Sequence, residues 1–189
     1  SSSEVGQRYV QHKNVIDAAK SVQVKRIVYT SILAADKSPL LLAGEHRQTE
    51  DLLTSSGVDY TILRNGWYSE NYLAGAEAAL SLGALYGCAQ EGRFSTASRK
   101  DYAEAAAVVL TQDGHSKKTY ELAGDDSFNL KTFAGWISEK HGKQIPFVNL
   151  GPSDFEGALK QAGLPEGLAT ALADSEKHAA DGWLENDSG

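Results

Sequence analysis

The densest group of chemistry-bearing side chains is the run Asn65-Gly66-Trp67-Tyr68-Ser69-Glu70-Asn71. Here Trp67 and Tyr68, two large rings, sit between two amides. Such rings can stack on a planar heterocycle, and Asn65 and Asn71 carry donors and acceptors that suit a carboxamide. The same rings could instead pack in a core, and the run alone leaves both readings open. Two further stretches, Ser1 to Glu4 and Thr30 to Leu33, are also rich in small polar groups.

Other motifs carry less. Tyr9 and Lys13 have the Tyr-x-x-x-Lys spacing of short-chain dehydrogenases. In those enzymes the pair follows a strand-end serine, whereas Tyr9 precedes the first strand expected here, so the match is read as chance. The five histidines are scattered with no i, i+4 partner, and no metal site is expected. Cys88 has only Glu91 and Arg93 nearby in sequence and reads as an inert small residue. The 18 glycines form no G-x-G-x-x-G, no G-x-x-G-x-x-G and no P-loop.

The elements that must position these groups follow from hydrophobic period. Val10 to Val22 reads as a helix with Val15, Ile16, Ala18 and Ala19 on one stripe. Lys25 to Ser31 is a β-branched and aromatic strand. Glu45 to Ser55 is a helix closed by Gly57, and Val58 to Arg64 is a second strand ending at Asn65-Gly66. Helices follow over 68–82, with Leu73, Ala76 and Leu80 on one side, and over 100–111, where Asp101 suits the first turn. Thr119 to Ala123 is a short strand, and Leu130 to Lys140 a helix carrying Phe133, Trp136 and Ile137. Ile145 to Leu150 is an edge strand because of Pro146. Ser153 is expected to cap a helix over 154–162, and Pro165 to open a last one toward Asp181. Strands alternating with helices imply βαβ units and a largely parallel sheet. Ligands of such sheets bind beyond the carboxyl ends of the strands, where the polar stretches fall.

Composition narrows the class. The 189 residues carry 18 Lys and Arg against 25 Asp and Glu, a formal charge of −7. With 41% hydrophobic and 23% charged residues this is ordinary globular composition. The acidic balance argues against a nucleic-acid partner. Apolar runs such as Ala105 to Leu110 are far short of a membrane span, and one cysteine forms no internal disulfide. No charged-then-apolar leader opens the chain, so a cytoplasmic location is expected. There is no methionine, and the chain opens Ser1-Ser2-Ser3-Glu4.

Three segments carry a family likeness: Ser1 to Arg8 (SSSEVGQR), Tyr29-Thr30-Ser31, and Arg64 to Tyr72 (RNGWYSENY). Through them the chain resembles the NmrA-like atypical short-chain dehydrogenases. Within these it is similar to the bacterial NAD(P)H:quinone oxidoreductase type 2 and triphenylmethane reductase group. Tyr120 to Asp125 (YELAGD) and Gly163-Leu164-Pro165 also match, so the resemblance covers nearly the whole chain.

The resemblance implies an α/β fold: a Rossmann-like parallel sheet whose N-terminal part is absent, with a small C-terminal α+β substrate lobe. Residues 1–127 would form the distal part of the cofactor domain. Residues 128–189 would form most of the lobe, joined by earlier segments. The implied cofactor is NADPH, with NADH possible. The implied contacts are Ser1, Ser2, Ser3, Glu4, Tyr29, Thr30, Asn65, Gly66, Trp67, Tyr68, Ser69, Glu70, Thr96, Arg99 and Asp101. The family's glycine-rich turn and phosphate-selecting arginine precede its serine run. The expectation is therefore that Ser1 is the end of a Rossmann strand rather than a true N-terminus.

The implied reaction is hydride transfer to a quinone or a bulky conjugated dye. A reduced quinone gains negative charge on oxygen, and Tyr68, Asn71 and His46 are the candidate donors. His46 falls where related reductases place a lysine, and with a reference pKa of ~6.5 it could hold a proton near neutrality. Its other reading is a surface histidine on an exposed turn. Two alternatives are a non-catalytic NmrA-like regulator that senses NAD(P)(H) and an inactive fragment. The expected partner is a small molecule, with no membrane and no nucleic acid. No motif speaks to oligomeric state.

Overall fold

A computed structural model describes residues 6–186. The expected contacts Ser1, Ser2, Ser3 and Glu4 lie outside the described residues. The element order is α1 (Arg8–Ser21), β1 (Ile27–Ile32), α2 (Leu41–Ser55), β2 (Tyr60–Asn65), α3 (Ser69–Leu82), β3 (Leu85–Gly87) and β4 (Arg93–Phe94). It continues with α4 (Arg99–Thr111), β5 (Lys118–Leu122), β6 (Phe128–Asn129), α5 (Leu130–His141), β7 (Phe147–Asn149), α6 (Pro152–Gln161) and α7 (Glu166–Ala179). The molecule is an α/β protein, and its chain divides into two compact units.

The first unit comprises residues 1–65 and 100–122. Its sheet has the order β1-β2-β5 and is parallel throughout. Ile27 pairs with Tyr60 and Ile32 with Asn65, while Arg64 pairs with Glu121. Side chains alternate between faces along a strand, so Tyr29 and Ser31 share one face with Ile62 and Arg64. That face is closed by α1 and α2, where buried Ile16, Leu53 and Ile62 pack with Ile27, Tyr29, Leu52 and Tyr60. A buried hydroxyl at Thr61 donates to the His115 carbonyl at 2.7 Å, and the Arg26 guanidinium donates to the Val109 carbonyl.

The second unit comprises residues 66–99 and 123–189. It holds two small strand pairs, β3 parallel with β7 and β4 antiparallel with β6. Its core rings are Tyr72, Phe94, Phe128 and Phe133, with Tyr72 and Phe94 centroids 4.9 Å apart. Cys88, Phe155 and Ala173 form a second cluster with Leu150 and Leu159.

Several expectations are corrected. The sixth helix begins at Pro152 with Gly151 as its cap, so Ser153 lies inside the first turn and does not cap it. Proline fits the first helical position because its missing N–H would have no partner there. The inward stripe of α3 is Tyr72 and Ala79, whereas Leu73 is 61% exposed. On α5, Phe133 and Ile137 are buried but Trp136 is half exposed. The edge strand is only Phe147–Asn149, with the Pro146 carbonyl accepting the Leu85 N–H at 2.9 Å.

Candidate functional site

Within the first unit the candidates gather at the carboxyl end of β1 and β2. Tyr29 is partly buried, and its hydroxyl lies 2.7 Å from His46 Nδ1 on α2. Burial pushes the Tyr29 phenol up to about 12. Burial first, then the nearby Arg8 and His12, pushes His46 down to about 4. Both groups are therefore neutral near pH 7. The protonated imidazole allowed by the reference value is not what this site holds. Nor is His46 a surface residue on an exposed turn, because its ring is paired and partly buried.

A second histidine joins this group. His12 on α1 meets the Tyr29 ring edge-on at 5.4 Å, and its Nδ1 lies 3.0 Å from Thr49 Oγ1. The Thr49 hydroxyl proton is committed to the Glu45 carbonyl at 2.9 Å, so Thr49 accepts from His12. Burial, followed by Arg8, holds His12 below its ordinary value. Thr30, alternating with Tyr29 and Ser31, is exposed on the opposite face.

Two atoms here stand out. Ser31 Oγ and Asn65 Oδ1 are buried with no hydrogen-bond partner among the described residues. Buried polar atoms nearly always have partners, and each exception calls for a reason. Both sit at strand carboxyl ends of a parallel sheet, the position where such sheets take ligands. Their chemistry fits a polar ligand with donors, a dinucleotide's hydroxyls and carboxamide included.

Within the second unit, two candidate segments are zipped together. Tyr68 and Ala97 form a parallel bridge. The Ser69 N–H donates to the Ala97 carbonyl at 3.0 Å, and the Ala97 N–H to the Trp67 carbonyl at 3.3 Å. Ser69 Oγ and Thr96 Oγ1 are 2.9 Å apart. Glu70 accepts the Arg99 N–H on both oxygens, at 3.0 and 3.2 Å, placing a negative charge at the start of α4. The Arg99 guanidinium lies over the Tyr68 ring, 4.9 Å from its centroid. Trp67 and Tyr68 are half-buried. Gly66 is buried and Asn71 exposed. A side chain on Gly124 would come within 2.1 Å of the Thr96 carbonyl oxygen, so glycine permits this close packing.

Asp101 belongs to the first unit and is exposed in the first turn of α4. Among the described residues no group of three His, Cys, Asp or Glu is placed to hold a metal ion. No helix among them is long and apolar enough to cross a membrane. Sequence reasoning placed Ser31 within the polar strand-end stretch Thr30 to Leu33 without naming it as a contact, and passed over His12 and Thr49. The signal for Ser31 was its strand parity with Tyr29; none marked the other two.

A model of a family described as NAD(P)H-binding matches residues 2–113. Quinone oxidoreductase 2 of Escherichia coli (strain K12) is 55% identical over 188 residues, covering 100% of this chain and 66% of that protein. The crystal structure of an NADPH-dependent quinone oxidoreductase from Escherichia coli complexed with NADPH superposes with a TM-score of 0.96 at 55% identity. That match covers 100% of this chain and 66% of that one. Triphenylmethane reductase of Citrobacter sp., complexed with NADP(H), gives 0.90 at 32% identity, covering 95% of this chain and 64% of that one. The chain thus spans just under two thirds of the length of each. With more than half its length matched by that family's model, the chain belongs to the NAD(P)H-binding, NmrA-like family.

Proposed function

We propose that this chain belongs to a reductase that passes a hydride from NADPH to a quinone or a bulky conjugated dye. One observation carries the reading: identity of 55% along the whole chain to a quinone oxidoreductase. Ser31 and Asn65, with unpartnered buried oxygens, are the residues of the first unit suited to hold the cofactor. In the second unit the Trp67-to-Glu70 segment, Thr96 and Arg99 are suited to it. NADPH supplies the hydride when bound, and NADH would supply the same.

The protein's share is placement, exclusion of water and control of protons. Glu70 binds the Arg99 N–H, and the Arg99 guanidinium covers the Tyr68 ring. Tyr29 orients His46: with the phenol donating to Nδ1, the ring proton sits on Nε2, and a neutral His46 is a donor rather than a charge. Tyr68 and Asn71 are the other donor candidates. In this reading cofactor contacts fall within residues 1–127 and the substrate lobe mainly within 128–189, joined by earlier segments. A cytoplasmic location goes with it.

The test is NADPH consumption with and without a benzoquinone, and with a triphenylmethane dye. Acceptor-dependent consumption is the expected result. NADPH binding without consumption by either acceptor would instead support a sensor, and no binding an inactive chain.

A further inference from the structure

Arg64 is the most heavily bonded side chain near the candidate edge, and the reading above gives it no role. It projects from the last turn-ward residues of β2, in register with Ser31 on β1 and Glu121 on β5, so all three share one face. Its guanidinium makes a two-point contact with Glu50 of α2, Nε to Oε1 at 3.0 Å and Nη2 to Oε2 at 2.6 Å. Nη1 reaches Asp36 at 2.6 Å and Glu121 at 2.8 Å. Only a planar fork with several donors can bind three carboxylates in this way.

Two of those carboxylates lead to one loop. Asp36 lies within the loop between β1 and α2, and Glu121 uses its other oxygen to accept the Ala34 N–H at 2.8 Å. Ala34 is a non-glycine residue at φ 51°, a left-handed conformation held only where surroundings over-determine it. Arg47 braces the same loop, donating to the Ala35 carbonyl at 3.0 Å and the Ser38 carbonyl at 3.4 Å. Leu33, Ala35 and Ser38 are buried, and the Leu33 N–H donates to the Asn65 carbonyl at 2.9 Å. The loop starts two residues beyond Ser31 and its unpartnered hydroxyl.

We propose that Arg64 is a positioning residue: through Asp36 and Glu121 it locks residues 33–38 into the shape that receives the cofactor beside Ser31. The inference rests on the proposed function for the identity of that ligand. The lock itself is a property of the ligand-free chain. Arg64 touches neither cofactor nor substrate in this account. It acts by removing the loop's freedom before binding, which raises affinity without changing the chemical step.

The experiment compares wild type with Arg64→Lys, Asp36→Asn and Glu121→Gln in two measurements. The first is hydrogen exchange of the 33–38 amides without ligand, the Ala34 amide above all. The second is NADPH affinity, together with KM and kcat in the quinone assay. Asp36 and Glu121 are partly exposed, so their variants test the lock even where Arg64→Lys fails to fold. The lock predicts faster exchange in all three variants and an NADPH Kd and KM raised about tenfold, with kcat within about twofold. Combining Asp36→Asn with Arg64→Lys adds little further loss, because one interaction is removed twice. Unchanged exchange overturns the lock. Faster exchange with unchanged affinity overturns its link to the ligand. A kcat loss at constant KM overturns positioning in favour of chemistry. A wild-type chain that shows the exchange pattern but binds no NADPH refutes the proposed function, and the ligand half of this inference falls with it.

Discussion

Glu176 makes the stability of the second unit depend on pH. It lies on α7 and accepts the Cys88 N–H at 2.6 Å. The space at Gly87 is so tight that a side chain there would meet Glu176 Oε2 at 2.7 Å. Burial pushes this carboxyl up from 4.5 to about 7, against the lowering effect of the Cys88 and Ala89 hydrogen bonds. Between those values the folded protein keeps a proton that the unfolded chain has released. Raising the pH therefore favours unfolding, and the stability present below pH 4.5 is lost as pH passes about 7. At ~1.36 kcal/mol per pH unit, the interval amounts to about 3 kcal/mol. Glu176→Gln cannot ionise and lacks this decline. Its amide sacrifices part of the hydrogen bonding at every pH, so the informative quantity is the change with pH. Urea denaturation followed by tryptophan fluorescence reads the right unit, since Trp67, Trp136 and Trp183 all belong to the second one. The stability difference between variant and wild type should move by about 3 kcal/mol in the variant's favour between pH 4.5 and about pH 8. Parallel profiles, or a wild type that gains on the variant as pH rises, would refute the assignment.

Three further outcomes are expected. Gly124→Ala places a carbon 2.1 Å from a backbone oxygen of Thr96 and should destabilise by ~1–3 kcal/mol while weakening NADPH binding. A thermal melt with a wild-type midpoint would show that this packing is slack. The pH–rate profile should show no inflection near 6.5 from His46, whose own titration lies near 4. An inflection near 6.5 that disappears in His46→Ala would contradict its neutral state, and an unchanged rate in that variant would remove it from the mechanism. Trp67→Ala should raise the KM for NADPH or quinone several-fold, with steady-state kinetics as the check, because its half-buried ring can stack on a planar heterocycle.

What the sequence disclosed depends on the range of the interactions involved. Strands β1, β2 and β5 are runs of β-branched and aromatic residues bounded by local turns, and the bounds read from them fall within three residues of those in the fold. Strands β3, β4 and β6 are two or three residues long, and their partners lie far along the chain; β3 pairs with β7 some 60 residues on. No local pattern marks such strands. The site divides in the same way. The Trp67-to-Glu70 run was visible by its composition. Its zipping to residues 96–99 was not visible, since the family likeness named Thr96, Arg99 and Asp101 only as implied cofactor contacts. The Tyr29–His46 contact spans 17 residues and the Arg64–Glu121 contact 57. Periodicity placed each residue on its element but not opposite its partner. The lowered pKa of His46 depends first on burial and then on Arg8 and His12 of α1, which a reference value omits.

The most direct test of the whole account is the stoichiometry of NADPH and benzoquinone consumption, followed in wild type and in Ser31→Ala. The account predicts that the two disappear one for one in wild type. It also predicts a higher KM for NADPH when the unpartnered hydroxyl at the sheet edge is removed. NADPH that binds but persists in the presence of the quinone would contradict the reductase reading, and a Ser31→Ala variant with wild-type kinetics would contradict the placement of the cofactor at that edge.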